Sequence, residues 1–188
     1  MSVSDKVFAG SIPENYDALM VPMIFEPYAT DLAERVAALS PHAVLETAAG
    51  TGVVTRALAP KLAESARYVV TDLNQPMLDY AAKKQPADKP IEWRQADALN
   101  LPFADGSFDA VCCQFGVMFF PDRVAGYKQA RRMLKPGGSL LFNAWDRIEG
   151  ERLRECCHRC PGRGVSGRPA ALPGPYATRL SRHRFDPR

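Results

Sequence analysis

No stretch of the 188 residues approaches the ~20 consecutive apolar residues of a membrane span, and Met1 to Gly10 lack the apolar core of a secretory signal. A soluble, cytoplasmic protein is the expectation. Cysteine is scarce, five in all. Cys112 and Cys113 lie in an apolar, strand-like run and read as small buried hydrophobes. Cys156-Cys157-His158-Arg159-Cys160 crowds its potential ligands into five residues with no second cluster to close a zinc site, so no metal is expected. Lysine is missing from residues 151–188, which hold nine Arg, three acids, five Pro and four Gly. That tail carries about +6, and by difference from the net +3 the first 150 residues carry about −3. The tail has no amphipathic order and only two distant aromatics, Tyr176 and Phe185, which argues against a nucleic-acid partner.

What the first 150 residues do contain is an alternation of strands and helices. Apolar residues at helical spacing between Tyr16 and Leu39, interrupted by Pro22 and Pro27, predict one or two helices ahead of the sheet. Ala43 to Glu46 reads as a buried strand, and Thr51 caps a helix with Val53, Val54, Ala57, Leu58 and Leu62 on one stripe. Arg67 to Asp72, Ile91 to Gln95, Phe108 to Gln114 and Ser139 to Ala144 read as four more strands. Helices are expected from Pro76 and from Pro121 to Leu134, and a turn at Pro136-Gly137-Gly138. Apolar runs rather than strict alternation imply a mostly parallel sheet covered on both faces, an α/β doubly wound, Rossmann-like fold. The division expected is 1–40 as a helical cap, 41–148 as the cofactor domain and 149–188 as a tail.

The chemistry sits where strand one meets helix. Gly50-Thr51-Gly52-Val53-Val54-Thr55 lacks the third glycine of a dinucleotide fingerprint, and no Gly-Lys-Ser/Thr follows it as a P-loop requires. Glu46, Asp72 and Asp97 fall instead at the carboxyl ends of three neighbouring strands. Three acids repel a pyrophosphate and suit a cationic, phosphate-free adenosine ligand.

VLETAAGTG, VVTDLNQPML, QADALNLPF, FDAVCCQFGVMFF and RRMLKPGG, in this order and spacing, resemble the class I S-adenosylmethionine-dependent methyltransferases, in particular the small-molecule branch that includes the quinone-biosynthesis C-methyltransferases. The likeness runs from about Tyr16 to Asp146. It implies S-adenosylmethionine as cofactor, with Ala48, Gly50 and Gly52 forming the loop under its methionine part and Glu46 near its amino group. It also implies that Asp72 binds the ribose hydroxyls, that Leu73 packs on adenine, and that Asp97, with Ala98 beside it, accepts from the exocyclic amine. Gln114 and Phe115 then lie near the methyl group. Ala48 departs from the family's glycine, a departure of about 1–2 kcal/mol if that position needs a positive φ. The Asn/Asp-Pro-Pro-Tyr signature of amine methylation on bases is absent from strand four, so the acceptor expected is a small molecule. No single catalytic side chain is implied, since in-line transfer rests largely on positioning. The alternative is a non-catalytic module that holds the cofactor or its demethylated product.

The tail's Arg, Pro, Gly and Ala bias without Lys is what a shifted reading frame produces in a GC-rich gene. One inserted base near Gly150 accounts for it: read one base later, synonymous codons permit an amphipathic helix, a Pro-rich turn and an aromatic segment. The expectation is therefore an irregular or disordered frameshifted region over 149–188. With it goes a sheet of five strands whose usual sixth and seventh are missing, and an open edge on the Ser139–Ala144 strand.

Overall fold

The computed structural model describes residues 12–86, 89–145 and 178–184. An amino-terminal helical stretch opens as α1 (Ile12–Asn15), widens to π-helical geometry over Tyr16–Phe25 and continues as α2 (Glu26–Ala37). Pro22 sits inside the widened part. It has no N–H to donate and its ring crowds the preceding turn, and an i→i+5 pattern accommodates both. The chain then alternates: β1 (Ala43–Glu46), α3 (Val53–Leu58), β2 (Arg67–Asp72), α4 (Gln75–Lys84), β3 (Ile91–Gln95), β4 (Phe108–Gln114), α5 (Arg123–Met133) and β5 (Leu134–Trp145). The strand order β3-β2-β1-β4-β5 is parallel throughout.

Side-chain parity explains the two-faced core. Val44, Tyr68, Val70, Ala110, Cys112 and Leu141 point to one face, where α2, α3 and α4 supply Leu32, Val36, Val54, Leu58 and Leu78. Their neighbours Leu45, Val69, Val111, Cys113, Leu140 and Phe142 point to the other, under Ala130 and Met133 of α5. Strands buried on both faces need no polar alternation, which is why they appear in the sequence as continuous apolar runs. Asp109 anchors the start of the central strand by accepting from the His42 and Ala43 backbone N–H groups at 3.0 and 2.8 Å.

Two expectations are corrected. The Pro136-Gly137-Gly138 turn belongs to β5 itself: Phe108 faces Leu134 and Ala110 faces Ser139, so the extra residues form a bulge, with Gly137 at φ 78°. The sheet also does not stop at five strands. Thr178–Arg184 forms β6, paired antiparallel to β5 from Ser139↔Arg184 to Trp145↔Thr178. The β5 edge that was expected to stand open is thereby paired, while the five parallel strands are those expected. An unpaired strand edge presents a row of backbone donors and acceptors, and pairing with it asks nothing of the side-chain pattern. The remainder of 149–188, with the Cys156–Cys160 cluster, lies outside the described residues. Among the described residues no helix is long and apolar enough to cross a membrane.

Candidate cofactor and acceptor site

The strand order reverses between β1 and β4, and in open α/β sheets that switch point leaves a crevice at the carboxyl ends of the strands. The loop from Thr47 to Gly52 lines it. The Thr47 N–H donates to the Cys112 carbonyl at 2.9 Å, Ala49 N–H to the Thr71 carbonyl at 3.1 Å and Gly52 N–H to the Ala49 carbonyl at 3.0 Å. The loop needs three left-handed residues: Ala48 at φ 53°, Gly50 at 57° and Gly52 at 79°. At Gly52 the reason is also space, because a Cβ there would lie 2.8 Å from the Ala81 Cβ on α4. At Gly50 a Cβ would meet nothing within 4 Å, so the backbone is bare towards the crevice and open to close approach.

Asp72 is brought directly to this loop. Its Oδ2 accepts from the Gly50 N–H at 2.8 Å and its Oδ1 from the Asn74 N–H at 2.8 Å. Burial pushes the carboxyl upward, against the lowering pull of backbone N–H donors from Asn74, Gly50 and Leu73. A carboxylate offers about four lone-pair sites, so acceptor capacity remains beyond these backbone bonds. Leu73, next in sequence, is half exposed at 50%, an apolar platform beside the acid. Asp97 is exposed, and its Oδ1 accepts from the Leu99 N–H at 2.8 Å in a local turn. Ala98 lines a small cavity between the sheet and α5, with Thr47, Leu101 and Cys113.

Glu46 goes elsewhere. Strand parity turns it, with Val44, to the α3 face, and it is 1% exposed. Thr55 Oγ1 donates to its Oε2 at 2.8 Å, and the Tyr68 hydroxyl donates to the same oxygen. Burial raises its carboxyl to about 7 despite these two donors. Glu46 thus lies beneath the loop, bonded to Thr55 and Tyr68.

Gln114 closes the other side. Its Nε2 donates to the Phe25 carbonyl at 3.1 Å, and its Oε1 accepts from Asn143 Nδ2 at 3.3 Å. Phe115, at φ 54°, stacks on Trp145 with ring centroids 4.3 Å apart and meets Phe25 and Tyr28 at 5.6 and 5.5 Å. A non-glycine residue held at positive φ marks a site the surroundings over-determine. Tyr16 stacks on Phe25 at 5.4 Å, and burial lifts its hydroxyl to about 12. Sequence reasoning missed Asn143, which is fully buried with an Oδ1 that has no partner among the described residues. The signal was there: one amide inside the apolar run Leu140-Leu141-Phe142-Asn143-Ala144. It also missed Arg56 and Asp17, which pair at 2.7 Å across 39 residues of sequence and leave no local trace.

The residues present fit S-adenosylmethionine: a bare loop backbone, an acid with spare lone pairs, an apolar platform, and Thr51 Oγ1, buried without a partner among the described residues. Fold and crevice together define a class, and residues 45–142, more than half of the chain, match the methyltransferase domain family. The chain belongs to that family, the S-adenosylmethionine-dependent methyltransferases of Rossmann-like fold. Its relatives include a demethylmenaquinone methyltransferase of Lactobacillus johnsonii, 41% identical over 99 residues, covering 51% of this chain and 41% of that protein. The ubiquinone/menaquinone biosynthesis C-methyltransferase UbiE of Bartonella tribocorum is 33% identical over 156 residues, covering 79% and 60%. In fold, the chain is similar to a putative S-adenosyl-L-methionine-dependent methyltransferase from Methanococcus maripaludis, with TM-score 0.64, 22% identity and coverage of 84% and 73%. The chain spans 41% to 60% of the length of these two curated relatives.

Proposed function

We propose that this chain binds S-adenosylmethionine at the Thr47–Gly52 loop and transfers its methyl group to a small, planar ring acceptor, a precursor of the quinones that its relatives' names mention, taken in its hydroxylated, quinol form. The observation that carries the reading is the pairing of a bare Gly50 with Asp72 at the switch point. The cofactor supplies an electrophilic methyl group on a sulfonium centre. Everything else falls to the chain. Ala48, Gly50 and Gly52 bed the methionine part, and Asp72 orients the ribose through its free lone pairs. Leu73 faces the adenine, and Asp97, with Ala98 beside it, accepts from the ring's amine. Positioning of this kind contributes on the order of 7–11 kcal/mol to a bimolecular transfer.

For the acceptor, Phe25, Tyr28, Phe115 and Trp145 offer stacking faces at the ends of β4 and β5. Asn143 Oδ1, buried without a partner among the described residues, supplies an acceptor for a ring hydroxyl, with Gln114 alongside. Aromatic walls also exclude water from a reaction in which a cation's charge is dispersed. No side chain is assigned as a catalytic base.

A second reading is favoured by one distance. Phe115 and Trp145 stack at 4.3 Å, leaving no room for a ring between them. That suits a module that holds the cofactor or its demethylated product without turnover. The reading frame bears on the choice. Residues 149–188 are proposed to be translated out of frame, which removes the sequence that completes an acceptor pocket and impairs transfer. Along β6, register positions opposite β5 carry Arg179, Arg182, His183 and Arg184, with Leu180 the one aliphatic residue. That composition is foreign to a strand meant to complete a two-faced core.

Titration calorimetry with S-adenosylmethionine and S-adenosylhomocysteine, run beside a methyl-transfer assay on a quinol panel, tests both readings. Binding with weak transfer is expected. Robust turnover by the purified chain contradicts the impairment, and binding without any transfer selects the non-catalytic reading. The gene's nucleotides test the frame: stop codons on reading 151–188 one base later end that proposal.

A further inference from the structure

Arg56 joins two parts of the molecule that the sequence keeps apart. Its Nη1 donates to the Thr51 carbonyl at 2.6 Å and its Nη2 to Asp17 Oδ1 at 2.7 Å. The Tyr80 hydroxyl on α4 donates to the other Asp17 oxygen at 3.2 Å. Thr51 lies within the glycine loop, and Asp17 lies within the Tyr16–Phe25 π-helical segment. The far end of that segment is fastened separately, by Gln114 Nε2 on the Phe25 carbonyl and by Asn143 Nδ2 on the Tyr28 carbonyl at 3.4 Å. Between these anchors the segment buries only Val21, while Leu19, Met20 and Met23 face outward. A stretch pinned at its ends with so little packing between opens locally at low free energy.

We propose that Arg56 is a positioning residue that couples closure of the Tyr16–Phe25 segment to the arrangement of the Thr47–Gly52 loop, through the relay Thr51 carbonyl, Arg56 guanidinium, Asp17 carboxylate. What fills the loop rests on the cofactor reading above; the relay is present in the chain by itself. A ligand set against Gly50 fixes the adjoining Thr51 carbonyl. That carbonyl in turn holds the guanidinium at the angle that meets Asp17. The ligand therefore favours the closed segment, and by linkage the closed segment tightens the ligand by the same factor. The pair suits this task because its side chains are only 27% and 13% exposed, so solvent screens it weakly. A guanidinium's planar fork can also serve two acceptors at fixed angles, which an ammonium cannot.

Amide hydrogen exchange on the full chain tests the coupling, followed in peptides covering residues 16–25 with and without S-adenosylhomocysteine. Affinities are measured by calorimetry on the same samples. In the wild type the ligand should slow exchange of this segment by ~10-fold, within the usual 5–150-fold range of coupling between sites. Asp17→Asn and Arg56→Lys should each abolish that ligand-dependent slowing and weaken binding by ~5-fold or more, and the double variant should be no worse than either single one. Tyr80→Phe, which leaves the ion pair in place, is the milder second variant and should show a partial loss of slowing. A purely structural role predicts faster exchange in the variants with the ligand's effect intact, and that result overturns the proposal. Binding by the wild type without any slowing overturns the coupling alone. A folded wild type that binds no ligand overturns the cofactor reading as well.

Discussion

Beneath the glycine loop, Glu46 is a carboxyl group whose burial works against its charge, raising it from 4.5 to about 7 even with Tyr68 and Thr55 donating to it. The folded chain therefore holds a proton that the unfolded chain releases. Stability from this group is fully present below about pH 4.5 and is lost as pH rises through about 7. The loss is on the order of 3 kcal/mol when complete. Glu46→Gln keeps an oxygen for both hydroxyls and has no charge to bury. Thermal melts should show this variant several degrees above the wild type at pH 8, with the gap closing towards pH 5; a gap independent of pH would contradict the assignment. Gly52→Ala tests the opposite kind of demand. A methyl at φ 79° and 2.8 Å from the Ala81 Cβ should lower stability by about 2 kcal/mol or more, read by denaturant midpoint. Ala48→Gly relieves a left-handed φ of 53° but frees the unfolded chain, so its net effect should be under about 1 kcal/mol. At the acceptor end, Asn143→Ala should cut methyl transfer ~10-fold or more, because it removes the buried amide that bonds Gln114 and the Tyr28 carbonyl.

At the scale of elements, legibility in the sequence followed burial. β1, β2, β4 and the helices between them were legible because each is an unbroken apolar or stripe-patterned run packed into one of two cores. The placement of Gly50, Gly52 and Asp72 was legible too, since a strand end, a bare turn and the next strand's terminal acid recur at a fixed offset. The face that Glu46 takes was legible in parity: two residues after Val44, it shares Val44's face and meets Thr55 of α3 there. The Asp17–Arg56 pair and the π-helical form of Tyr16–Phe25 were not legible, being set by tertiary approach and by Pro22's missing donor. β6 was missed for a related reason. Its pairing is satisfied by backbone groups at the β5 edge, and its side chains carry no strand-like signature. Gln114→Ala removes one far anchor of the amino-terminal segment. Limited proteolysis should then cut between residues 16 and 25 several-fold faster, with the sheet otherwise intact.

The whole molecule divides into a cofactor half that is internally consistent and a carboxyl-terminal region, rich in Arg and without Lys, that is proposed to be translated out of frame. Residues 45–142 carry the family match and most of the two opposed cores, which α2 completes on one face. A chain with residues 151–188 restored to the proposed frame should melt higher than the present one and transfer methyl groups faster, because the β5 edge would gain a patterned neighbour. The central claim concerns the half that both chains share, and calorimetry of S-adenosylmethionine with the wild type and with Asp72→Ala tests it most directly. The account predicts one site per chain in the wild type and affinity at least ~30-fold weaker in the variant, the equivalent of about 2 kcal/mol for hydrogen bonds to a charged group. A folded wild type that takes up no S-adenosylmethionine, or binds it equally well without Asp72, would contradict it.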